Sequence, residues 1–247
     1  MHSNKQSIIY GLRPVMEAIG SGTHIERILI QNNLVGPLAN ELKARVREAG
    51  LPFQYVPVEK LNKLTTGNHQ GVVATIAAVQ YGSFADIMEA MGEEPQDTLV
   101  LLLDHITDVR NMGAIARTAE CTGVTALVVP DHGSAAMNED AVKTSSGALL
   151  RVPVCREQNL KTVVNMAKQY GLQVVASTEK GAVHYRDVDF RRPTLLIMGN
   201  EETGISSDLL KLCDVRASLP MCGEVASLNV SVAAGVMLYE ALEQRRR

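Results

Sequence analysis

The chain of 247 residues is 46% hydrophobic and 21% charged, with a net charge of −3. This balance is ordinary for a soluble globular protein, and the length allows one large domain or two modest ones. No apolar run approaches the length of a membrane span, and the first residues lack the apolar core of a signal peptide. Four widely spaced cysteines without a CxxC pair argue against a zinc site and favour the reducing cytoplasm.

The charge is unevenly distributed along the chain. Residues 1–80 carry a net charge of +3, residues 81–95 carry −4, and residues 96–247 carry −2. A mildly basic first segment permits RNA binding without requiring it, because an ordinary solvated surface can have the same charge.

The first eighty residues alternate helical and strand patterns. Three segments space their apolar residues as helices do, and Gly closes two of them. These segments are residues 10–22, 36–50 and 59–65. Three others have the apolar and β-branched composition of strands: residues 25–31, 52–58 and 71–79. The pattern predicts a small α/β domain over residues 1–80.

Residues 81–97 are acidic, contain two Gly and have only a weak helical pattern. We interpret them as a linker between two domains, since boundaries fall in polar, Gly-containing stretches.

From Thr98 onward, strands and helices alternate repeatedly. The predicted strands are short apolar runs of the kind buried in parallel sheets, at residues 99–106, 126–130, 173–178, 194–199 and 215–221. The predicted helices are residues 111–123, 138–149, 160–171 and 206–213, with a last helix starting at Ser227. This repeated βα pattern predicts a doubly wound α/β sheet over residues 98–247.

Polar and Gly-rich residues follow three of these strands, in residues 104–117, 199–206 and 219–229. Ligands of open α/β sheets bind beyond the carboxyl ends of the strands. We therefore expect the three segments to converge on one site.

The familiar cofactor motifs are absent from these segments. Gly199 and Gly204 have P-loop spacing, but no Lys follows Gly204, and Glu201 and Glu202 lie inside the loop. No GxGxxG follows a predicted strand, and no GxSxG is present. Acidic residues in a Gly-rich loop suit a cationic ligand or an Arg partner better than a phosphate.

Ser227 and Asn229 lie where the last strand gives way to the C-terminal helix. Ser227 is a suitable helix N-cap, which would make its role structural. Asn229 is harder to explain by structure, because Asn is unfavourable inside a helix and its amide requires partners.

Taken together, the three segments resemble the SpoU (TrmH-like) RNA 2′-O-ribose methyltransferases of the SPOUT superfamily, and within them the 23S rRNA guanosine-2′-O-methyltransferases. The matching residues are Asn111, Gly113 and Arg117, then Gly199, Glu201 and Gly204, then Pro220, Ser227, Leu228 and Asn229. Residues 8–79, with "YGLRPVMEAI" and "NHQGVVA", look like the L30e-like RNA-binding domain that precedes this catalytic domain in bacterial members.

The resemblance implies a SPOUT-type parallel sheet with a C-terminal trefoil knot in a methyltransferase domain over residues 98–247, and an L30e-like substrate-binding domain over residues 1–80. It implies S-adenosyl-L-methionine as methyl donor, RNA and specifically rRNA as partner, and a homodimer. Asp104 and Asp108 have no companions of the kind that bind a metal, so we expect no metal, and we expect no DNA or membrane partner. The implied catalytic residues are Asn111, Arg117, Glu201, Ser227 and Asn229. The implied cofactor-binding residues are Met198, Gly199, Leu219, Met221 and Leu228.

Within this picture Arg117 contacts the ribose or its phosphate, and Glu201 orients Arg117 or a neighbouring backbone group. Structural alternatives stay open: an Arg117–Glu120 ion pair on the helix surface, an N-cap role for Asn111, and core packing for the apolar residues. Rival functions are a tRNA-directed or resistance-type rRNA methyltransferase and a non-catalytic RNA-binding assembly factor on the same fold. In the first domain, His69 and Gln70 are candidate RNA contacts.

Overall fold

The computed structural model describes residues 8–21, 23–92, 97–181, 183–224 and 227–246. The chain divides into two compact units. The first comprises Met1–Gln80 together with Ala136–Asp140, and the second comprises Tyr81–Ala135 and Ala141–Arg247. None of the described helices is long and apolar enough to cross a membrane.

The first unit contains a four-stranded sheet in the order β1-β4-β2-β3, in which only β2 and β3 are parallel. The strands are β1 (Ile8–Tyr10), β2 (Ile25–Gln31), β3 (Phe53–Val56) and β4 (Val72–Ile76), and the helices are α1 (Leu12–Gly20), α2 (Pro37–Glu48) and α3 (Val58–Asn62). Alternate residues of β2 pack on opposite faces: Ile28 and Ile30 join the core with α1 and α2, whereas Leu29 joins Leu61 of α3.

The second unit is built on an eight-stranded parallel sheet in the order β10-β12-β9-β11-β6-β7-β8-β5. Its strands are β5 (Tyr81–Gly82), β6 (Leu99–Asp104), β7 (Ala126–Pro130), β8 (Val154–Glu157), β9 (Gln173–Ser177), β10 (Val183–His184), β11 (Thr194–Gly199) and β12 (Val215–Ser218). Its helices are α4 (Phe84–Met91), α5 (Val109–Cys121), α6 (Glu139–Thr144), α7 (Leu160–Gln169), α8 (Ser207–Leu210) and α9 (Val230–Arg245). Short 3-10 turns are formed by Ala148–Leu150 and Tyr185–Asp187.

The predicted α/β class with a parallel sheet is confirmed. All six residues of β6 are buried, as expected of a central parallel strand covered on both faces. The chain builds β7 and β8 on one side of β6, then crosses to build β9 and β11 on the other. The carboxyl ends of β6 and β11 therefore border the switch point where open α/β sheets bind ligands. The trefoil knot stays a prediction.

The interpretation of residues 81–97 as a linker is wrong for residues 81–92. Tyr81 and Gly82 form β5, which pairs with β8, and the side chains of Phe84 and Met88 in α4 are buried in the core of the second unit. Acidic residues on its exposed side hide the apolar face of this eight-residue helix from a composition-based reading. Residues 93–96 lie outside the described residues.

The N-cap expected at Ser227 is also wrong. The last helix, α9, begins at Val230, and its N-cap is Asn229, whose Oδ1 accepts a hydrogen bond from the Ser231 N–H at 3.0 Å. Asn229 is therefore not an interior helix residue, and part of its polar side chain satisfies an otherwise free backbone donor.

Candidate active site

Glu201 connects its own predicted segment, residues 199–206, to the segments 104–117 and 219–229 by hydrogen bonds. Its Oε1 accepts hydrogen bonds from Asn111 Nδ2 at 3.2 Å, from Asn229 Nδ2, and from the Val230 N–H at 3.1 Å. Asn229 Nδ2 also lies 3.0 Å from Asn111 Oδ1. The start of α5, the loop after β11 and the start of α9 thus meet in one polar cluster, which we call the Glu201 cluster: Asn111, Glu201 and Asn229.

Helix caps position both amides of this cluster. Asp108 is the N-cap of α5, because its Oδ1 accepts from the backbone N–H groups of Arg110 and Asn111, each at 2.8 Å. The alternative N-cap role of Asn111 is therefore wrong, and its amide is free to reach Glu201. Asn229 has two roles. Its Oδ1 caps α9, and its Nδ2 donates hydrogen bonds to Glu201 and Asn111 in the cluster.

The loop after β11 is closed tightly by its glycines. A Cβ on Gly199 would lie 2.3 Å from the Gly204 carbonyl carbon and from Ile205 N, so only Gly fits there. Gly204 has a φ of +70°, which also favours Gly. Asp104 at the end of β6 holds the far end of the loop, because its Oδ2 accepts from the Ser206 N–H at 2.7 Å.

A cavity of about 260 Å³ opens beside this loop. All five residues expected to bind the cofactor line it, together with Glu201 and Ser227. These five are Met198, Gly199, Leu219, Met221 and Leu228. Core packing explains Met198, which is buried, but not Met221 and Leu228, which are 37% and 39% exposed. Asn111, Arg117 and Asn229 do not line the cavity.

Sequence reasoning missed one wall of the cavity. Ser177 ends β9, the neighbour of β11, and Thr178, Glu179 and Lys180 follow that strand. All four residues line the cavity. A signal was available, since this polar segment also follows a predicted apolar strand. Glu179 adds a third acidic side chain to the cavity lining, in addition to those of Glu201 and Glu202.

Arg117 stands apart from the cluster. It lies six residues after Asn111 on α5, about 9 Å along the helix axis, and its side chain is exposed. Within the described part of the chain it has no hydrogen bond or ion pair. Glu201 contacts not Arg117 but a neighbouring backbone group, the Val230 N–H, which is the other partner expected for it. The alternative pair of Arg117 with Glu120 is wrong, because Glu120 lies 3.4 Å from Arg151 instead.

The candidate RNA contacts of the first unit have partners within that unit. Gln70 Oε1 accepts from the Leu12 N–H at 3.0 Å, at the start of α1. His69 Nδ1 accepts from the Gly71 N–H at 3.0 Å, and its Nε2 lies 2.9 Å from Asn62 Oδ1. Both side chains thus fix the loop before β4.

Comparison with known proteins agrees with this arrangement. Residues 98–239 match the SpoU rRNA Methylase family, and residues 8–82 match the RNA 2′-O ribose methyltransferase substrate binding domain. The chain belongs to the SpoU family. A Bacillus subtilis protein whose name places it among TrmH family tRNA/rRNA methyltransferases is 33% identical over 98% of both chains.

Solved structures show the same family likeness. The SpoU methyltransferase AviRb of Streptomyces viridochromogenes, in complex with AdoMet, is 28% identical, with a TM-score of 0.62 over 99% of this chain and 94% of that one. An AdoMet-bound rRNA methyltransferase of Sinorhizobium meliloti is 27% identical, with a TM-score of 0.62 over 96% and 86%. This SpoU protein is accordingly an S-adenosylmethionine-dependent RNA methyltransferase.

The cavity residues suit that cofactor chemically. Apolar side chains of Met198, Leu219 and Leu228 would offer surface for an adenosine ring, and Gly199 lines the same cavity. The carboxylates of Glu179, Glu201 and Glu202 outnumber the one cation on the described lining, Lys180, so the cavity has a net negative character. This charge suits a ligand bearing a sulfonium and an ammonium group, and it disfavours a phosphate. When bound, S-adenosylmethionine supplies an activated methyl group.

Proposed function

We propose that this SpoU methyltransferase methylates a ribose 2′-OH of RNA, and that its substrate is a guanosine of 23S rRNA. The observation that carries the proposal is the Glu201 cluster beside the cavity, because it joins three separate loops where a methyl donor and a ribose could meet. The choice of 23S rRNA rests on the resemblance of the three motifs to the guanosine-2′-O-methyltransferases.

In this proposal the Glu201 cluster keeps the groups around the reacting atoms aligned. Methyl transfer to a hydroxyl needs the oxygen, the methyl carbon and the leaving sulfur in line, so positioning supplies much of the rate. Glu201 fixes Asn111 and Asn229 while Ser227, on the cavity wall, orients the 2′-OH. Because Gly199 ends β11 and Glu201 lies two residues later in the following loop, the same hydrogen bonds align the cofactor wall with the ribose site.

Arg117 has a different part in this proposal. Its guanidinium stays protonated, so it is a poor proton acceptor. It would instead bind the ribose or the adjacent phosphate and stabilise the negative charge that the 2′-oxygen gains as its proton leaves, before the new O–C bond takes up that charge and the C–S bond breaks. The proton passes to a phosphate oxygen or to water. An exposed side chain without a protein partner in the described chain is available for such a contact.

We also propose that the protein acts as a cytoplasmic homodimer. Support comes from α9, which exposes Val232 and Tyr239, 51% and 55% exposed and seven residues apart on one helical face. Leu150, in a turn that packs on α5, is 63% exposed. A second copy of the chain would bury these apolar side chains, and Val232→Asp should shift light-scattering mass from dimer to monomer.

The experiment that tests the substrate compares RNAs. Purified protein is incubated with labelled S-adenosylmethionine and with 23S rRNA, 16S rRNA or bulk tRNA from cells lacking the protein. The proposal expects stoichiometric transfer to one guanosine of 23S rRNA. Transfer to tRNA instead would favour the tRNA-directed alternative, and no transfer to any RNA would favour an assembly factor.

A further inference from the structure

The edge strand β3 of the first unit exposes two aromatic rings. Phe53 and Tyr55 are 38% and 43% exposed, in a chain that has only three Phe, six Tyr and no Trp. Their ring centroids are 5.7 Å apart, with planes at 87°. In the sheet order β3 has β2 as its only neighbour, so no described strand covers its outer side.

The register explains why these rings face solvent. Phe53 pairs with Ile28 and Tyr55 with Ile30, so the rings lie on the face that α1 and α2 cover farther inside the sheet. At the edge the rings extend past that cover, whereas Val56, on the opposite face, is buried. Phe53 and Tyr55 each leave more than a third of their surface exposed, so both have apolar surface available for a contact.

Two cations accompany the rings. Lys43 Nζ lies 5.8 Å from the Tyr55 ring centroid. Arg47 follows one turn later on α2, on the same helical face and toward the end that leads into β3. Arg47 is exposed, and its side chain has no hydrogen bond or ion pair in the described chain, whereas Arg45, on another face of the helix, pairs with Glu41 at 2.8 Å. We name Lys43, Arg47, Phe53 and Tyr55 the β3 patch.

We propose that the β3 patch binds a single-stranded segment of the RNA substrate, with bases stacked on Phe53 and Tyr55 and phosphates beside Lys43 and Arg47. Exposed aromatic faces next to cations are the combination by which proteins bind unpaired nucleotides. Cations beside an edge strand also discourage the addition of a protein strand. The proposal rests on the proposed function, since it assigns a surface to the RNA that the active site methylates.

The test uses the full chain and a labelled single-stranded RNA of about 16 nucleotides, the upper end of what one small binding domain covers. Phe53→Leu combined with Tyr55→Leu keeps apolar bulk but removes the rings, and should weaken binding about tenfold or more. Tyr55→Trp keeps a stacking face and should bind like wild type. Thermal unfolding confirms that each variant is folded.

The cations are tested by salt dependence. Arg47→Gln should reduce the slope of log K against log salt by about 0.7, the value for one phosphate contact on a single strand. Arg45→Gln, a charge loss on the same helix, is the matched control and should leave the slope unchanged.

Methyl transfer separates this proposal from the proposed function. At saturating 23S rRNA the ring variants should turn over at the wild-type rate, with only KM raised. The proposed RNA-binding role of the β3 patch is overturned if folded ring variants bind RNA within twofold of wild type. It is also overturned if these variants keep their RNA affinity but lose a protein partner. Neither outcome bears on the active site. Failure of the wild type to methylate any RNA overturns the proposed function instead.

Discussion

Asn111 and Arg117 stand on the same helix, α5, in opposite circumstances. Both polar atoms of the Asn111 side chain are hydrogen-bonded within the Glu201 cluster, whereas Arg117 is exposed and has no partner in the described chain. The difference divides the proposed site into two parts. The protein's own hydrogen bonds hold the Glu201 cluster in place, whereas the position of the Arg117 side chain depends on a bound ligand. The predictions below test that division, from the largest expected effect to the smallest.

Arg117→Ala should have the largest effect on the reaction and almost none on the protein. We expect methyl transfer to fall about 1,000-fold, because a positive charge aimed at developing oxyanion charge is lost. Binding of S-adenosylmethionine, measured by calorimetry, should stay within a few-fold, and the melting temperature should not change. Arg191→Ala, on the surface of the same unit, is the control. Retained transfer by Arg117→Ala would remove this residue from its proposed role.

Glu201→Gln tests the Glu201 cluster, the part of the site that the protein's own hydrogen bonds hold in place. Its Oε1 is the common acceptor of three donors, and hydrogen bonds to a charged acceptor are stronger than neutral ones. We expect kcat/KM to fall about 100-fold, since small displacements of aligned groups are costly. Glu202→Gln in the same loop should cost less than threefold. Equal effects of the two substitutions would contradict the special position of Glu201.

Asn229→Ser separates the two roles of one side chain. Ser is about as good an N-cap as Asn, so α9 should keep its stability, whereas the Nδ2 donor to Glu201 and Asn111 is lost. We expect about a tenfold fall in kcat without a change in melting temperature. Asn229→Ala should lose about 1 kcal/mol of stability as well. A fully active Asn229→Ser would return Asn229 to a purely capping role.

Protection of a thiol from alkylation is the smallest effect that we expect, and it reports on the cavity where the cofactor should bind. Cys121 and Cys222 are exposed, and Cys222 adjoins the cavity residue Met221. S-adenosylmethionine should slow alkylation of Cys222 severalfold and leave Cys121 unaffected, as peptide mass spectrometry would reveal. Cys155 should not react at pH 8 in either case, because burial, with a smaller effect of Glu157, raises the pKa of its thiol to about 12. Equal protection of Cys121 and Cys222 would place the cofactor elsewhere.

Much of the fold could be predicted from the sequence, because buried parallel strands are continuous apolar runs. β6 and β11 are examples, and their carboxyl ends lead directly to the site. Strands of two or three residues, such as β5 and β10, leave no periodic signal, and α4 was hidden by its acidic face. Helix boundaries depend on which of two nearby cap residues forms its bond, which is why Asn229 rather than Ser227 begins α9.

The candidate site could be predicted in its members but not in its contacts. The motifs bring Glu201, Asn111 and Asn229 to attention, yet Glu201 and Asn111 are 90 residues apart, and their hydrogen bond depends on how α5 and the loop after β11 pack. For the same reason the sequence left open whether Glu201 contacts Arg117 or a neighbouring backbone group, and in the structure it accepts from the Val230 N–H. Pattern alone gives a residue its place in the chain, not the direction of its side chain.

The central claim is that three loops form one site for transfer to a ribose oxygen. It is tested most directly by digesting 23S rRNA with alkali after methylation by the protein with tritiated S-adenosylmethionine. A methylated 2′-oxygen cannot attack the neighbouring phosphate, so the account predicts tritium in alkali-stable dinucleotides that begin with guanosine, and none with Arg117→Ala. Tritium released as mononucleotides would mean that a base is methylated, and it would contradict the account.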